Sequence, residues 1–234
     1  MPDALNDPVV VDFPLRGEGW LAVTTPATRV PSHGVDILGQ RYAYDLLQVD
    51  QRKGVHFHPV GPVRGLLLGG RTRDCYAWGA PIHSPFDAEV VRAVDGMEER
   101  AWIHLIREAV RAIWNGLTFR PSRLGAILGN HVILRSGDIY AGFAHLAPGT
   151  VGVVDGQRVD TGRVIGRIGH TGNSTSPHLH FQLMDSADLM TAGGLPCAFR
   201  IYEVERDGAW AEVTNGIPGR RDRIRSLGPD TGPR

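Results

Sequence analysis

Two of the ten histidines, His178 and His180, stand one residue apart at the head of the apolar-alternating run Leu179 to Leu183. In a strand, residues i and i+2 share a face, so both imidazoles point one way while Leu179 and Phe181 point the other. Two imidazoles on one face suit a metal ion or a proton transfer. An isolated His-x-His also describes a pair of exposed strand histidines, so its surroundings decide. They are reached through the polar loop GHTGNSTSP, Gly169 to Pro177. In it, Asn173 and Ser174 can shape a turn or hold substrate backbone.

Two further segments bring chemistry. In Tyr140-Ala141-Gly142-Phe143-Ala144-His145-Leu146 a histidine ends a strand-like run and is followed by the turn residues Pro148 and Gly149. The run from Ser32 to Asp45 offers one imidazole, His33, and two carboxylates, Asp36 and Asp45. A catalytic zinc takes three protein ligands and keeps a fourth position for water, so one His and one Asp from this run plus one His from His-x-His meet the count. His83, His104, His131 and His170 sit in turn-like, helical or strand-flanking contexts and are read as structural or solvated, with no role assigned.

These groups need a scaffold, and the composition points to β structure. The 30 Gly and 16 Pro are spread between short Val/Ile-rich runs, as turn-dense strands require. Strands are predicted at Val9 to Val11, Trp20 to Val23, Tyr42 to Val49, His131 to Leu134, Ile139 to Leu146, Val164 to Ile168 and His178 to Met184. Between Met97 and Trp114 the apolar residues Trp102, Leu105, Ile106, Ala109, Val110 and Ile113 recur at helical spacing, with Gly116 and Pro121 as stop signals, which predicts one inserted helix. The polar, Gly-rich stretch from Asp50 to Asp74 reads as a surface loop.

The expected fold is therefore mostly β, a compact antiparallel β-sandwich-like domain with one inserted helix and its chemistry in a groove on the sheet. At 234 residues one domain suffices. Residues 1–30 read as an extension packed on a domain spanning 31–214. Residues 215–234, short of apolar side chains, read as a mobile tail. A formal net charge of +0 gives no basic field for nucleic acid or anionic lipid. The start lacks a basic n-region and long apolar core, and no segment is apolar enough to span a membrane, so the sequence taken alone reads as cytosolic. Cys75 and Cys197 have no paired ligand spacing and are expected as buried thiols.

The strings GNHVIL, YAGFAHL, VDTGRVIGRIGHTGNSTSPHLHFQL and GAPIHSPFDAEVVRAVDG resemble the lysostaphin-type zinc endopeptidases, which cut bacterial peptidoglycan cross-bridges. The resemblance runs from about His33 to Val204, and the HLHF end is its most specific part. It implies one Zn2+ and a peptidoglycan or other peptide substrate, which would put the protein at the cell envelope. It also implies His180 as a ligand and His145 and His178 as catalytic groups. The family's first motif usually places an Asp four residues after a His. Here His33 and Asp36 are three apart, and no His stands four before Asp45. Asp45 is preferred because QRYAYDLL reads as the strand carrying the family's aspartate. His33 would reach the metal from the preceding loop, with His56 and His58 as substitutes. Two other functions fit the same residues: an inert domain of this fold that binds cell-wall peptide or regulates another hydrolase, and a histidine phosphocarrier.

Overall fold

The computed structural model describes residues 7–52, 54–61, 65 and 68–228, so the ends of the expected extension and tail, and part of the Asp50–Asp74 stretch, lie outside the described residues. The strands are β1 (Val9–Val11), β2 (Gly17–Thr24), β3 (Tyr44–Gln48), β4 (Gly70–Arg71), β5 (Pro81–His83), β6 (Ala88–Val94), β7 (Trp102–Ile103), β8 (Asn130–Ser136) and β9 (Ile139–Leu146). They continue with β10 (Arg158–Val159), β11 (Val164–Arg167), β12 (Leu179–Met184), β13 (Gly194–Leu195), β14 (Cys197–Arg206), β15 (Ala209–Gly216) and β16 (Arg223–Ser226). Between β7 and β8 lie the α-helices α1 (Leu105–Leu117) and α2 (Leu124–Leu128). The fold is mostly β, as the turn-rich composition predicts.

One hydrogen-bonded path joins twelve strands, in the order β1-β14-β16-β2-β3-β12-β9-β8-β6-β10 with β13 beside β12 and β15 beside β14. All its pairs are antiparallel except β1 with β14. A path this long accumulates twist and curls. Phe199 of β14, Phe181 of β12, Val90 of β6 and Val159 of β10 accordingly meet in one buried cluster, although they come from distant places in the strand order. The two-stranded sheet of β5 and β11 adds Ile82 and Ile165 to the same core.

Alternation along β12 separates core from site. Leu179, Phe181 and Leu183 are buried in the central cluster, and His180, Gln182 and Met184 take the other face. β12 lies between β3 and β9, with His180 opposite both Asp45 and Ala144. Lateral neighbours in register share a face, so this pairing alone sets Asp45 beside His180.

Two expectations need correction. The helix begins at Leu105, because Trp102–Ile103 extend as β7 against β4. Its apolar stripe is turned to solvent: Ile106, Val110, Ile113, Trp114 and Leu117 are exposed, and the buried residue is Glu108. The segment read as a tail beyond Asn215 contributes β16, which lies between β2 and β14 with Ile224 fully buried. Its two arginines hide this strand from a compositional reading. Cys75 and Cys197 are both free and buried.

Candidate metal and catalytic centre

β3 and β12 bring the first two groups together, and the loop before β3 brings the third. His180 Nδ1 stands 2.9 Å from Asp45 Oδ1, and His33 Nε2 stands 3.0 Å from Asp45 Oδ2. The ligand atoms of His33, Asp45 and His180 all lie within 4.8 Å of one another. Ligands 2.0–2.1 Å from a tetrahedral zinc are about 3.3 Å apart, so these separations fit that ion.

The hydrogen bonds behind each imidazole say which nitrogen faces inward. The Gln182 amide nitrogen donates to the Leu38 carbonyl at 2.7 Å, which leaves Gln182 Oε1 as the acceptor 2.9 Å from His180 Nε2. His180 Nε2 therefore carries the proton and Nδ1 offers a lone pair to Asp45. Similarly, Ser32 Oγ donates to the Gln40 carbonyl at 3.3 Å and so accepts from His33 Nδ1 at 3.1 Å, leaving Nε2 as a lone pair. A carboxylate and two imidazole lone pairs facing one another repel unless a cation lies between them. The donor set, two imidazoles and a carboxylate, could hold a zinc ion and leave a fourth position open.

His145 and His178 complete the cleft. Strict alternation would turn His145 away from Ala144 and His180, but His145 has a left-handed φ of 68° at a place where the β8–β9 register shifts. Such a backbone is costly for a non-glycine residue. It brings the His145 ring to 5.0 Å from that of His178 and 6.0 Å from that of His180. His145 Nδ1 donates to the Thr171 carbonyl at 3.0 Å, and His178 Nδ1 donates to the Ser176 carbonyl at 2.7 Å. Both rings therefore turn Nε2 to the cleft, that of His178 lying 3.4 Å from Asp45 Oδ1.

The charges are shaped by burial and by Asp45. Burial pushes the Asp45 carboxyl up, but the surrounding histidines, His33 and His178 foremost, outweigh it and hold the group well below its ordinary value. Burial, with His178 and His180 alongside, drives His145 well below the usual histidine range. At His178 burial also lowers, but the charge of Asp45 and its hydrogen bond win and the net direction is up. Two adjacent imidazoles are thus biased in opposite directions, the pattern of an acid–base pair.

The other candidates sit elsewhere. Asp36 is an exposed partner of Arg41. Both nitrogens of His58 are used, one with the Arg71 carbonyl and one by the Val60 amide. Neither His56 nor His58 joins the cluster of ligand atoms. His83 and His131 hold backbone carbonyls, those of Gly162 and Gly129. His170, assigned no role from sequence, is buried directly behind the site. Its Nδ1 contacts Ser174 Oγ at 2.9 Å, and Arg100 donates to its Nε2 at 3.0 Å. The cleft, of about 220 Å³, has Ile127 and Leu128 of the inserted segment and Asn173 and Thr175 of the loop among its walls.

Residues 74–191, half of the chain, match Peptidase family M23. No curated protein matches. Among solved structures, the chain is similar to the SpoIIQ–SpoIIIAH pore-forming complex, at 16% identity and TM-score 0.35 over 64% of this chain and 60% of that one. It is similar to the catalytic domain of the antimicrobial peptidase lysostaphin from Staphylococcus simulans, at 22% identity and TM-score 0.33 over 61% of this chain and 87% of that one. A zinc-containing peptidase from Vibrio cholerae aligns at 19% identity and TM-score 0.35 over 75% of this chain and 37% of that one.

Proposed function

The chain belongs to peptidase family M23, and from that premise we propose that it is a zinc-dependent endopeptidase that hydrolyses peptide bonds in peptidoglycan peptides. The observation that carries the reading is the inward-facing set of His33 Nε2, Asp45 and His180 Nδ1, acceptors without a donor between them. The family match includes His145, His178 and His180, while His33 and Asp45 lie outside its span and enter through geometry alone.

Zinc held there would supply a Lewis acid that activates water and polarises the scissile carbonyl. The protein's part is to orient and to move protons. Asp45 offsets the charge of the cation, and Gln182 fixes the tautomer of His180. His145, kept neutral, accepts a proton at Nε2. His178, biased toward its cation, donates from Nε2 to the oxyanion of the tetrahedral intermediate. Asn173 and Thr175 offer polar groups to substrate backbone at the rim.

A domain that binds cell-wall peptide without cutting it is supported by the irregular spacing of the first motif, although the fold closes that gap by bringing His33 to Asp45. A phosphocarrier is disfavoured because Asp45, 3.4 Å from His178 Nε2, would repel a phosphoryl group there. Among the described residues no helix is long and apolar enough to cross a membrane.

The test is the zinc content of protein purified without chelator, together with hydrolysis of a cross-linked muropeptide. About one zinc per chain, lost in Asp45→Ala and His180→Ala but kept in Asp36→Ala, with turnover in the wild type, is the expected result. A wild type that takes up no zinc when supplied with it would overturn the reading. One that binds muropeptide without cutting it would establish the binding domain instead.

A further inference from the structure

Both inward-facing imidazoles at the edge of the cleft take their orientation from one loop. His145 Nδ1 donates to the carbonyl of Thr171, and His178 Nδ1 donates to that of Ser176. The conformation of residues 170–176 therefore decides whether either ring turns its Nε2 to the cleft. A polar, glycine-containing loop does not hold one shape by itself.

The inserted segment holds it. Glu108, 4% exposed on the inward face of α1, is ion-paired with Arg100 at 3.0 Å and Arg111 at 2.7 Å. Both arginines then reach the loop: Arg100 donates to the carbonyls of Gly172 at 3.3 Å and Ser174 at 3.0 Å, and Arg111 donates to the Ser174 carbonyl at 2.9 Å. Asn115 donates to the Asn173 side chain at 2.9 Å, and the Asn173 backbone amide donates to the Ile127 carbonyl at 2.9 Å. Gly172, at φ 66°, comes so close that a Cβ there would lie 2.5 Å from the Gly129 nitrogen.

The contacts also run in one direction. Arginine only donates, so Arg100 makes His170 Nε2 the acceptor and leaves the ring proton on Nδ1. His170 Nδ1 then donates to Ser174 Oγ at 2.9 Å, and Ser174 donates to the Ser176 carbonyl at 2.7 Å, the same oxygen that receives the His178 proton. This chain of fixed donors ends on the atom that sets the His178 tautomer.

We infer that Arg100, Glu108 and Arg111 form a positioning clamp by which the segment between β7 and β8 fixes loop 170–176, and through it the tautomers of His145 and His178. None of the three touches the cleft; they act through the loop. The inference rests on the reading of His145 and His178 as catalytic groups. It also accounts for the inverted helix: a charged face turned inward is needed where the neighbour is a row of carbonyl oxygens, and burial of those oxygens without donors would be costly.

The experiment uses the full chain, 15N-labelled at histidine and loaded with zinc, as wild type, Arg111→Met, Arg111→Lys and Asn115→Ala. Zinc content, the imidazole 15N shifts of His145 and His178, and kcat and KM on a cross-linked muropeptide are measured. In the wild type both rings should show a protonated, slowly exchanging Nδ1. Arg111→Met should keep zinc and KM, show averaging of the two nitrogen environments, and lose kcat by roughly 10- to 100-fold, within the range general acid–base groups contribute. Arg111→Lys should recover part of that loss, and Asn115→Ala should move shifts and kcat the same way by less. A folded Arg111→Met protein with wild-type tautomers and kcat overturns the inference. Should Arg111→Met fail to fold, unchanged tautomers and kcat in Asn115→Ala overturn it. If the wild type neither holds zinc nor turns over, the peptidase reading fails, and the tautomer shifts still decide whether the clamp exists.

Discussion

Asp45 is the residue on which the site turns, since His33, His178 and His180 all direct a ring nitrogen at its carboxylate. A cation bound there neutralises the charge that raises His178, so zinc uptake should lower the proton affinity of His178 and release protons near neutral pH. Calorimetric titration of zinc into metal-free protein in two buffers of different ionisation enthalpy would show that release, and uptake of protons would contradict the arrangement. His145→Ala should retain zinc, because His145 is not among the three clustered ligands, while turnover falls by about 10²- to 10⁴-fold. At this scale the sequence was partly readable. His-x-His announces a shared face, but His145 depends on a left-handed backbone that no periodicity reveals, and His170 looks like any loop histidine. Burial, with the guanidinium of Arg100 beside it, pushes His170 down to about 2. The unfolded chain binds that proton near pH 6.5, so stability associated with His170 is full above that pH and falls as the pH drops toward 2, by up to about 1.4 kcal/mol per unit. Urea midpoints of His170→Asn should decline less steeply than the wild type's between pH 6.5 and 5, and parallel declines would show that His170 does not remain neutral.

Elements carry the second layer of argument, and α1 separates pattern from orientation. Its spacing of apolar residues marks a helix correctly, yet the usual inference that such a stripe faces a core fails here. The inward face instead carries Glu108, Arg111 and Asn115, whose partners lie in a loop some sixty residues onward, a separation that local periodicity does not register. A direct comparison of stabilities follows. Ile113→Ser removes a side chain 63% exposed and should change stability by no more than about 0.5 kcal/mol. Glu108→Ala removes a buried carboxylate and the counter-charge of two half-buried guanidinium groups and should cost about 3 kcal/mol. Urea denaturation of both variants checks the ranking, and the reverse order would mean that the helix packs with its apolar stripe inward. The β3, β12 and β9 pairing is the complementary case. The strands were legible from alternation, but the register that sets Asp45 and Ala144 beside His180 comes from non-local pairing.

On the scale of the whole molecule, the first and the last described strands both belong to the sheet that carries the site. β2 lies between β16 and β3, and β3 holds Asp45, so the order from the late strand to the proposed metal ligand is β16-β2-β3. The sequence gives little sign of this because Arg223-Ile224-Arg225-Ser226 offers a single apolar side chain, and a strand is ordinarily recognised by several. Its arginines have partners that only the fold supplies. Arg225 makes two contacts with the Glu203 carboxylate, at 2.6 and 2.8 Å, and lies 4.5 Å over the Trp210 ring, while Arg223 donates to the Asp50 carbonyl at 2.6 Å. Ile224 fills the central core beside them. Ile224→Ala should therefore cost about 2–5 kcal/mol, the range for truncating a buried aliphatic, where a mobile tail would give no change. Removing β16 altogether would also expose the edges of β2 and β14, two strands that now pair across it, and unpaired edges invite association. A chain ending at Gly219 should accordingly show a lower urea midpoint than Ile224→Ala and sediment as larger species, and because β2 supports β3, its zinc affinity should fall with its stability. A truncated chain that kept the wild-type midpoint and bound zinc equally well would show that β3 and β12 hold the ligand geometry without the strands beyond them.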